Sequence, residues 1–389
     1  MPRPGNLVRP LAPEGPSPAL ARGDRIGCTI SAPAEIARPA SPGVTSPGPG
    51  GARFLLGGWA DLLMVGPGLT LVTSVALGAL GATGHIEMAT TIAFGLTLMF
   101  VGPHYAATYR RAFTSRAILR AHPIVTLVVP ALLFVWAAAA IRWPRPIGLA
   151  FFATYVVWSG YHYSGQSLGL AMLYPLRQGA RLTEAEKRLV AFPLYLSWIV
   201  SIVGLFGAGA AARNPAYQLT RAALAGLTLP PLVRLAGVVL MIASLGSVAV
   251  LAARRRRAGI ALPGAVWAVI LTQLTWFGVG LWNPFFNVIL VPIFHGAQYL
   301  SITSWHQARG RGALFFGIYA ATVLSLGLLV NPGLQALGRA LAGGGPVVAA
   351  AVLSFINLHH FLMDGRIWRL RERKVAESFA VAAAPGHAP

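Results

Sequence analysis

Long apolar runs, broken by short polar joints that carry arginine, set the pattern of this chain. Between Phe54 and Asp364 the runs are roughly 20 residues each, the length at which an α-helix crosses a bilayer. They are continuous rather than alternating, so they read as helices and not as the strands of a barrel. The pattern predicts about ten transmembrane helices: Phe54–Leu80, Glu87–Tyr109, Pro123–Ile141, Ile147–Tyr174, Val190–Ala211, Leu232–Ala252, Ala261–Leu281, Pro284–Trp305, Leu314–Val330 and Pro346–Asp364. The expected fold is therefore an all-α polytopic membrane bundle filling residues 54–374. Pro103, Pro193 and Pro292 fall inside runs and are expected to kink them. Residues 1–53, rich in Pro, Gly, Ala, Ser and Arg, contain no signal-peptide core and are expected to form a disordered cytoplasmic tail, with a second at 375–389.

Composition agrees with the pattern. The chain is 56% hydrophobic and only 11% charged, against about 25% charged in a soluble domain. Its net charge of +21 would point to nucleic acid in a soluble protein. Here the basic residues lie in the joints, where they set orientation and meet anionic lipids, so no nucleic-acid partner is expected. With both termini cytoplasmic, 25 of the 31 Lys and Arg residues fall on the cytoplasmic side. That asymmetry selects the orientation and an even number of crossings. The expected location is the inner (plasma) membrane. The single cysteine, Cys28, excludes a thiolate cluster within the membrane, so a metal would rely on His, carboxylate or amide ligands.

Ionisable groups inside membrane helices are costly and point to function. Four of the ten runs carry polar clusters: His104-Tyr105, His162 with Gln166, His295 with Gln298 and Tyr299, and His359-His360 with Asp364. All four are even-numbered runs and so cross in the same sense. Each histidine alone could be polar glue between helices. Together they point to one shared site. His104, His162, His295, His359 and His360 are the candidate metal ligands. Gln166 and Gln298 are candidates for the partners that orient them. Tyr105, Tyr299 and Asp364 are the candidate catalytic groups. His162 and Gln166, and His360 and Asp364, are four apart and share a helix face. Adjacent His359 and His360 point about 100° apart, so at least one faces the bundle. His306 and His122 are expected at the membrane surface, and Asp61 is a further carboxylate near the inner end of the first run.

An imidazole-rich, thiolate-free set suits iron, copper or zinc. On its isolated histidines and all-helical character, the chain resembles the bacterial β-carotene-cleaving membrane dioxygenases. His359-His360 is also similar to part of a box found in membrane fatty-acid desaturases and hydroxylases. The HxxxH boxes of those enzymes are missing, and His162 is followed at the fourth position by Gln166. The departure favours a mononuclear or sparsely ligated centre over a di-iron one. The resemblance implies non-haem iron and an O2-dependent reaction on a lipid or isoprenoid that arrives from the bilayer; an electron donor is a candidate further partner. Paired histidines are similar to copper ligands in haem–copper oxidases, which keeps haem or copper open, although the HxH motif of those enzymes is absent. A proton-coupled transporter with a His/Asp relay is the alternative outside enzymes, and a purely structural protein is the remaining one.

Overall fold

The computed structural model describes residues 54–178, 180–207, 230–282, 286–309, 311–329 and 346–370, with isolated positions at 333, 336, 340, 375 and 379. All belong to the unit Pro47–Pro389. The expected tail at 1–53 and nearly all of that at 375–389 lie outside the described residues. Regular structure among the described residues is entirely helical. In chain order the helices are α1 (Gly58–Met64), α2 (Gly68–Ala82), α3 (Ile86–Phe113), α4 (Arg116–Ala121), α5 (Val129–Arg142) and α6 (Leu149–Arg177). They continue with α7 (Glu184–Gly207), α8 (Pro231–Arg257), α9 (Gly264–Gly280), α10 (Val291–Ala308), α11 (Ala313–Leu328) and α12 (Pro346–Ile367). Short π-helical turns at Ile124–Val128 and Phe286–Leu290 lead into α5 and α10, and a kink with extended backbone at Arg145 (φ −124°, ψ 122°) precedes α6.

Where their residues are described, the predicted runs fall on a helix, a helix with its lead-in turn, or a bent pair. Five helical segments among the described residues are long and apolar enough to cross a membrane: Ile86–Phe113, Ile124–Arg142, Pro231–Arg257, Phe286–Ala308 and Val347–Ile367. Shorter apolar helices at Gly264–Gly280 and Ala313–Leu328 accompany them. The protein is thus a helical membrane protein. α6 has the length of a span but carries Tyr161, His162, Tyr163, Ser164 and Gln166 in its middle. Those polar groups are what lowers its apolar character.

Two expectations about the helices change. The first run is not one rod: α1 and α2 meet at a 50° bend. The Gly66-Pro67-Gly68 sequence explains it. Proline lacks the N–H that would continue the helix, and a Cβ at Gly66 or Gly68 would lie 2.7–2.9 Å from atoms of Leu62 and Leu63. Pro292 does not interrupt an α-helix either. It occupies the first turn of α10, just after the π-helical turn, where its missing N–H is not needed. Pro103 and Pro193 do lie inside α3 and α7.

Burial is uneven, and the unevenness locates the centre. About two-thirds of the apolar window is buried in Phe286–Ala308 and in Val347–Ile367, against 22% in Ile86–Phe113 and Pro231–Arg257. α10 and α12 are therefore the inner helices. α3 packs on α10, α11 and α12; α12 packs on α5 and α6; α7 and α9 back α6, with α8 outside α7. The outer faces show Leu71, Val75, Leu127, Phe134, Leu235, Val239 and Leu314 to the surroundings. An apolar surface of this kind is what lipid covers and water does not. Buried polar side chains tie helices together inside. Gln273 of α9 donates to Ser164 Oγ (3.0 Å), Ser197 Oγ (2.9 Å) and the Leu194 carbonyl (2.8 Å). Trp276 donates to Thr70 Oγ1 at 2.9 Å.

Candidate metal centre

Close helix contact brings the site together. A Cβ on Gly102 of α3 would stand 2.6 Å from the Gly327 carbonyl of α11, and a Cβ on Gly296 of α10 would stand 2.7 Å from the Phe100 carbonyl. The reciprocal Cβ on Gly327 would meet the Pro103 backbone nitrogen. Small residues let membrane helices approach this closely. These contacts fall beside His104 and His295 in sequence and draw α3 against α10 at their level.

His104 of α3, His162 of α6, His295 of α10 and His360 of α12 converge. Each offers a ring nitrogen within 4.8 Å of the other three. His162 Nε2 and His295 Nε2 are 3.1 Å apart. The His104 ring centroid lies 4.2 Å from that of His360 and 4.8 Å from that of His295. All four are at most 9% exposed. His104 Nδ1 and Nε2, His295 Nδ1 and both nitrogens of His360 make no hydrogen bond. The Val101 carbonyl lies near His104, and Asp364 Oδ2 stands 3.3 Å from His360 Nε2. A buried polar atom without a partner costs about 1–3 kcal/mol. Several in one place have no structural return unless something binds them. Four buried imidazoles whose ring nitrogens lie within 4.8 Å of one another are a donor set that suits a metal ion, so the residues present could hold one.

His359 does not join them. Its Nε2 lies 3.1 Å from the Val125 carbonyl and its ring stacks on Tyr109 at 5.5 Å. One helix step separates it from His360 by about 100°, which turns it to the neighbouring helix.

Around the four histidines the polar side chains form three groups. Asp364 Oδ1 accepts from Thr108 Oγ1 (2.8 Å) and Tyr299 OH (2.9 Å), and Trp368 Nε1 donates to Tyr299 OH (2.9 Å). That fixes the carboxylate with Oδ2 toward His360. The glutamines act on backbone rather than on imidazole. Gln166 Nε2 donates to the His295 carbonyl (3.1 Å) and to Gln298 Oε1 (3.3 Å), and Gln298 Nε2 donates to the Val65 carbonyl (2.7 Å). They pin α6, α10 and the bend after α1 to one another. The hydroxyl of Tyr105 donates to Asn357 Oδ1 (2.7 Å), and its ring packs 4.8 Å from His104 and 5.1 Å from His360. Its hydroxyl is thereby committed to α12.

The remaining candidates lie elsewhere. Asp61 accepts from the Leu55 and Leu56 backbone N–H groups (2.7 and 2.8 Å) and from Tyr174 OH (3.1 Å), so it braces the segment before α1. His306 Nδ1 is 3.3 Å from Arg111. His122 caps the C-terminal end of α4. Trp368 escaped the sequence reading because it follows the apparent end of the last run at Asp364. Its spacing of four from Asp364 was the available signal.

The fold and the site together define a helical membrane protein with a buried centre of four histidines that could bind a metal ion. Comparison with family models, with curated proteins and with solved structures gives no match, so the functional reading rests on this geometry.

Proposed function

We propose that the protein is an integral membrane metalloenzyme that holds non-haem iron through His104, His162, His295 and His360 and oxidises a lipid or isoprenoid with O2. One observation carries the reading: four buried histidines from four helices meet, each offering a ring nitrogen within 4.8 Å of the other three. Iron bound there would supply redox chemistry toward O2 and substrate. The chain's own part is to hold and shield. Asp364, steadied by Thr108 and Tyr299, gives the centre a carboxylate that offsets cationic charge in a medium where an unpaired charge is expensive. Phe361, whose ring stacks on His162 at 4.4 Å, and Tyr163, 4.5 Å from His295, keep water from the imidazoles. Tyr299 and Asp364 reach the wall of an adjoining cavity, where they can hold or pass a proton to a bound molecule.

Close packing of the four rings disfavours haem, because a porphyrin needs a flat slot between its axial ligands and here two further imidazoles stand in it. A relay for a transporter needs polar groups strung along the membrane normal. His104, His162, His295 and His360 instead gather in one cluster, with Asp364 beside it. Elemental analysis and an absorption spectrum of the purified protein test the proposal. Stoichiometric iron without a Soret band is the expected result. A Soret band would replace it with haem, and metal-free protein that moves protons would replace it with the transporter.

A further inference from the structure

The four histidines do not fill their side of the bundle. A cavity of about 320 Å³ lies beside them, and His162, Gln166, Tyr299 and Asp364 form part of its wall. Asp364 is 8% exposed, with its Oδ2 3.3 Å from His360 Nε2. Along α6 the wall is Trp158, Tyr161, Gly165, Gly169 and Leu173. These are three or four residues apart and make one helix face, about 22 Å long at 1.5 Å per residue.

Two glycines on that face differ from those that join helices. Gly102, Gly296 and Gly327 lie hard against neighbouring backbone, whereas an added Cβ would find nothing within 4 Å at Gly169 and only the Tyr195 hydroxyl, at 3.8 Å, at Gly165. Glycine weakens a helix interior, and its usual return in a membrane helix is close contact with another helix. Neither residue makes such a contact. The volume they leave free belongs to the cavity. At its outer end, Trp158 and Tyr161 also line a groove of about 590 Å³ on the surface between α6 and α7, closed on the far side by Trp198. Tyr161 is 44% exposed, and its ring touches Trp198 at 5.4 Å and Tyr195 at 5.5 Å. The groove faces outward from the bundle, on the side lipid would cover.

We infer that the cavity takes one linear apolar chain of a lipid-like molecule, entering sideways between α6 and α7 past Trp158 and Tyr161. The chain passes His162 and lies over Gly165 and Gly169, with its far end toward Leu173. Gly165 and Gly169 then determine how long a chain fits. The inference extends the metalloenzyme reading by naming how substrate reaches the site, but binding of the chain does not require the metal.

The probe is a palmitic acid analogue with a diazirine near its methyl end, added to the full-length protein in phosphatidylcholine vesicles. After irradiation, adducts are mapped by tandem mass spectrometry and metal is measured on the same samples. Adducts are expected on Tyr161, Leu173 or Phe361. They should fall roughly tenfold, equivalent to ~1.4 kcal/mol of binding, in Gly165→Leu and Gly169→Leu. Gly169→Ala, which meets open space, should label like the parent. Adducts on lipid-facing Val239 should not change. Labelling of lipid-facing residues alone, or cavity labelling undiminished in both leucine variants, overturns the inference. Cavity labelling in protein that holds no metal sinks the metalloenzyme reading and leaves this one standing. Bound metal without cavity labelling does the reverse.

Discussion

At the scale of single residues, the difference between His359 and His360 carries the most information. They are neighbours with the same side chain, yet one completes a cluster of four and the other bonds a backbone carbonyl of the adjoining segment. Substituting His104, His162, His295 or His360 by alanine is expected to abolish stoichiometric metal, as measured on purified protein. His359→Ala and His306→Ala should retain it, and His359→Ala should lose only about 1 kcal/mol of stability for its hydrogen bond. Metal retained by His162→Ala or His295→Ala would remove the ligand set. Asp364→Ala should weaken metal binding by about 10–100-fold, the usual effect of removing a group that supports a ligand. A competitive chelator titration reads that change. Binding requires neutral imidazole, so protons compete with the metal and affinity should fall as the pH is lowered. The same titration repeated at several pH values checks the sign.

At the scale of helices, glycine placement decides where histidines can meet. α3 can bring His104 inward only because Gly102 lies directly on Gly327 of α11 and Gly296 of α10 lies directly on Phe100. Gly102→Ala forces backbone apart and is expected to cost about 1–3 kcal/mol, the range for overpacking, with partial loss of metal. Gly95→Ala on the same helix, where a Cβ meets nothing within 4 Å, should be neutral or slightly stabilising. Thermal unfolding in detergent with parallel metal analysis separates the two. Both glycines look alike in the sequence. Their roles differ because one faces a helix and the other does not, which the apolar pattern of α3 cannot reveal. The Gly66-Pro67-Gly68 tripeptide is a turn signal, yet the apolar pattern runs through it as one segment. The carbonyl of Val65 at that bend receives Gln298, which links the first run to the histidine helices.

At the scale of the whole molecule, the distribution of Lys and Arg predicts a topology in which both ends share the cytoplasmic face. Cysteine accessibility tests it in intact and permeabilised cells. The native Cys28 should react with an impermeant maleimide only after permeabilisation. In a Cys28→Ser background, Arg257→Cys should behave the same way, and Arg142→Cys should react in intact cells. Labelling of Cys28 from outside would invert the orientation, and opposite sides for Cys28 and Arg257→Cys would break the even count between them.

What the sequence by itself determined is whatever depends on composition along one helix: apolar length, charge asymmetry, the absence of membrane thiolates and the identity of the four polar runs. Those properties are local, because lipid acts on each segment separately and demands the same apolar, internally hydrogen-bonded helix every time. Only the tertiary structure decided which faces of those helices meet. It set His359 apart from the cluster and turned the two glutamines to backbone carbonyls. It also committed the Tyr105 hydroxyl to Asn357 and left the Gly165–Gly169 face open. Each outcome depends on the rotation of one helix against another, set by contacts such as Gly102 on Gly327 between residues far apart in the chain. No periodicity within a single run carries that information.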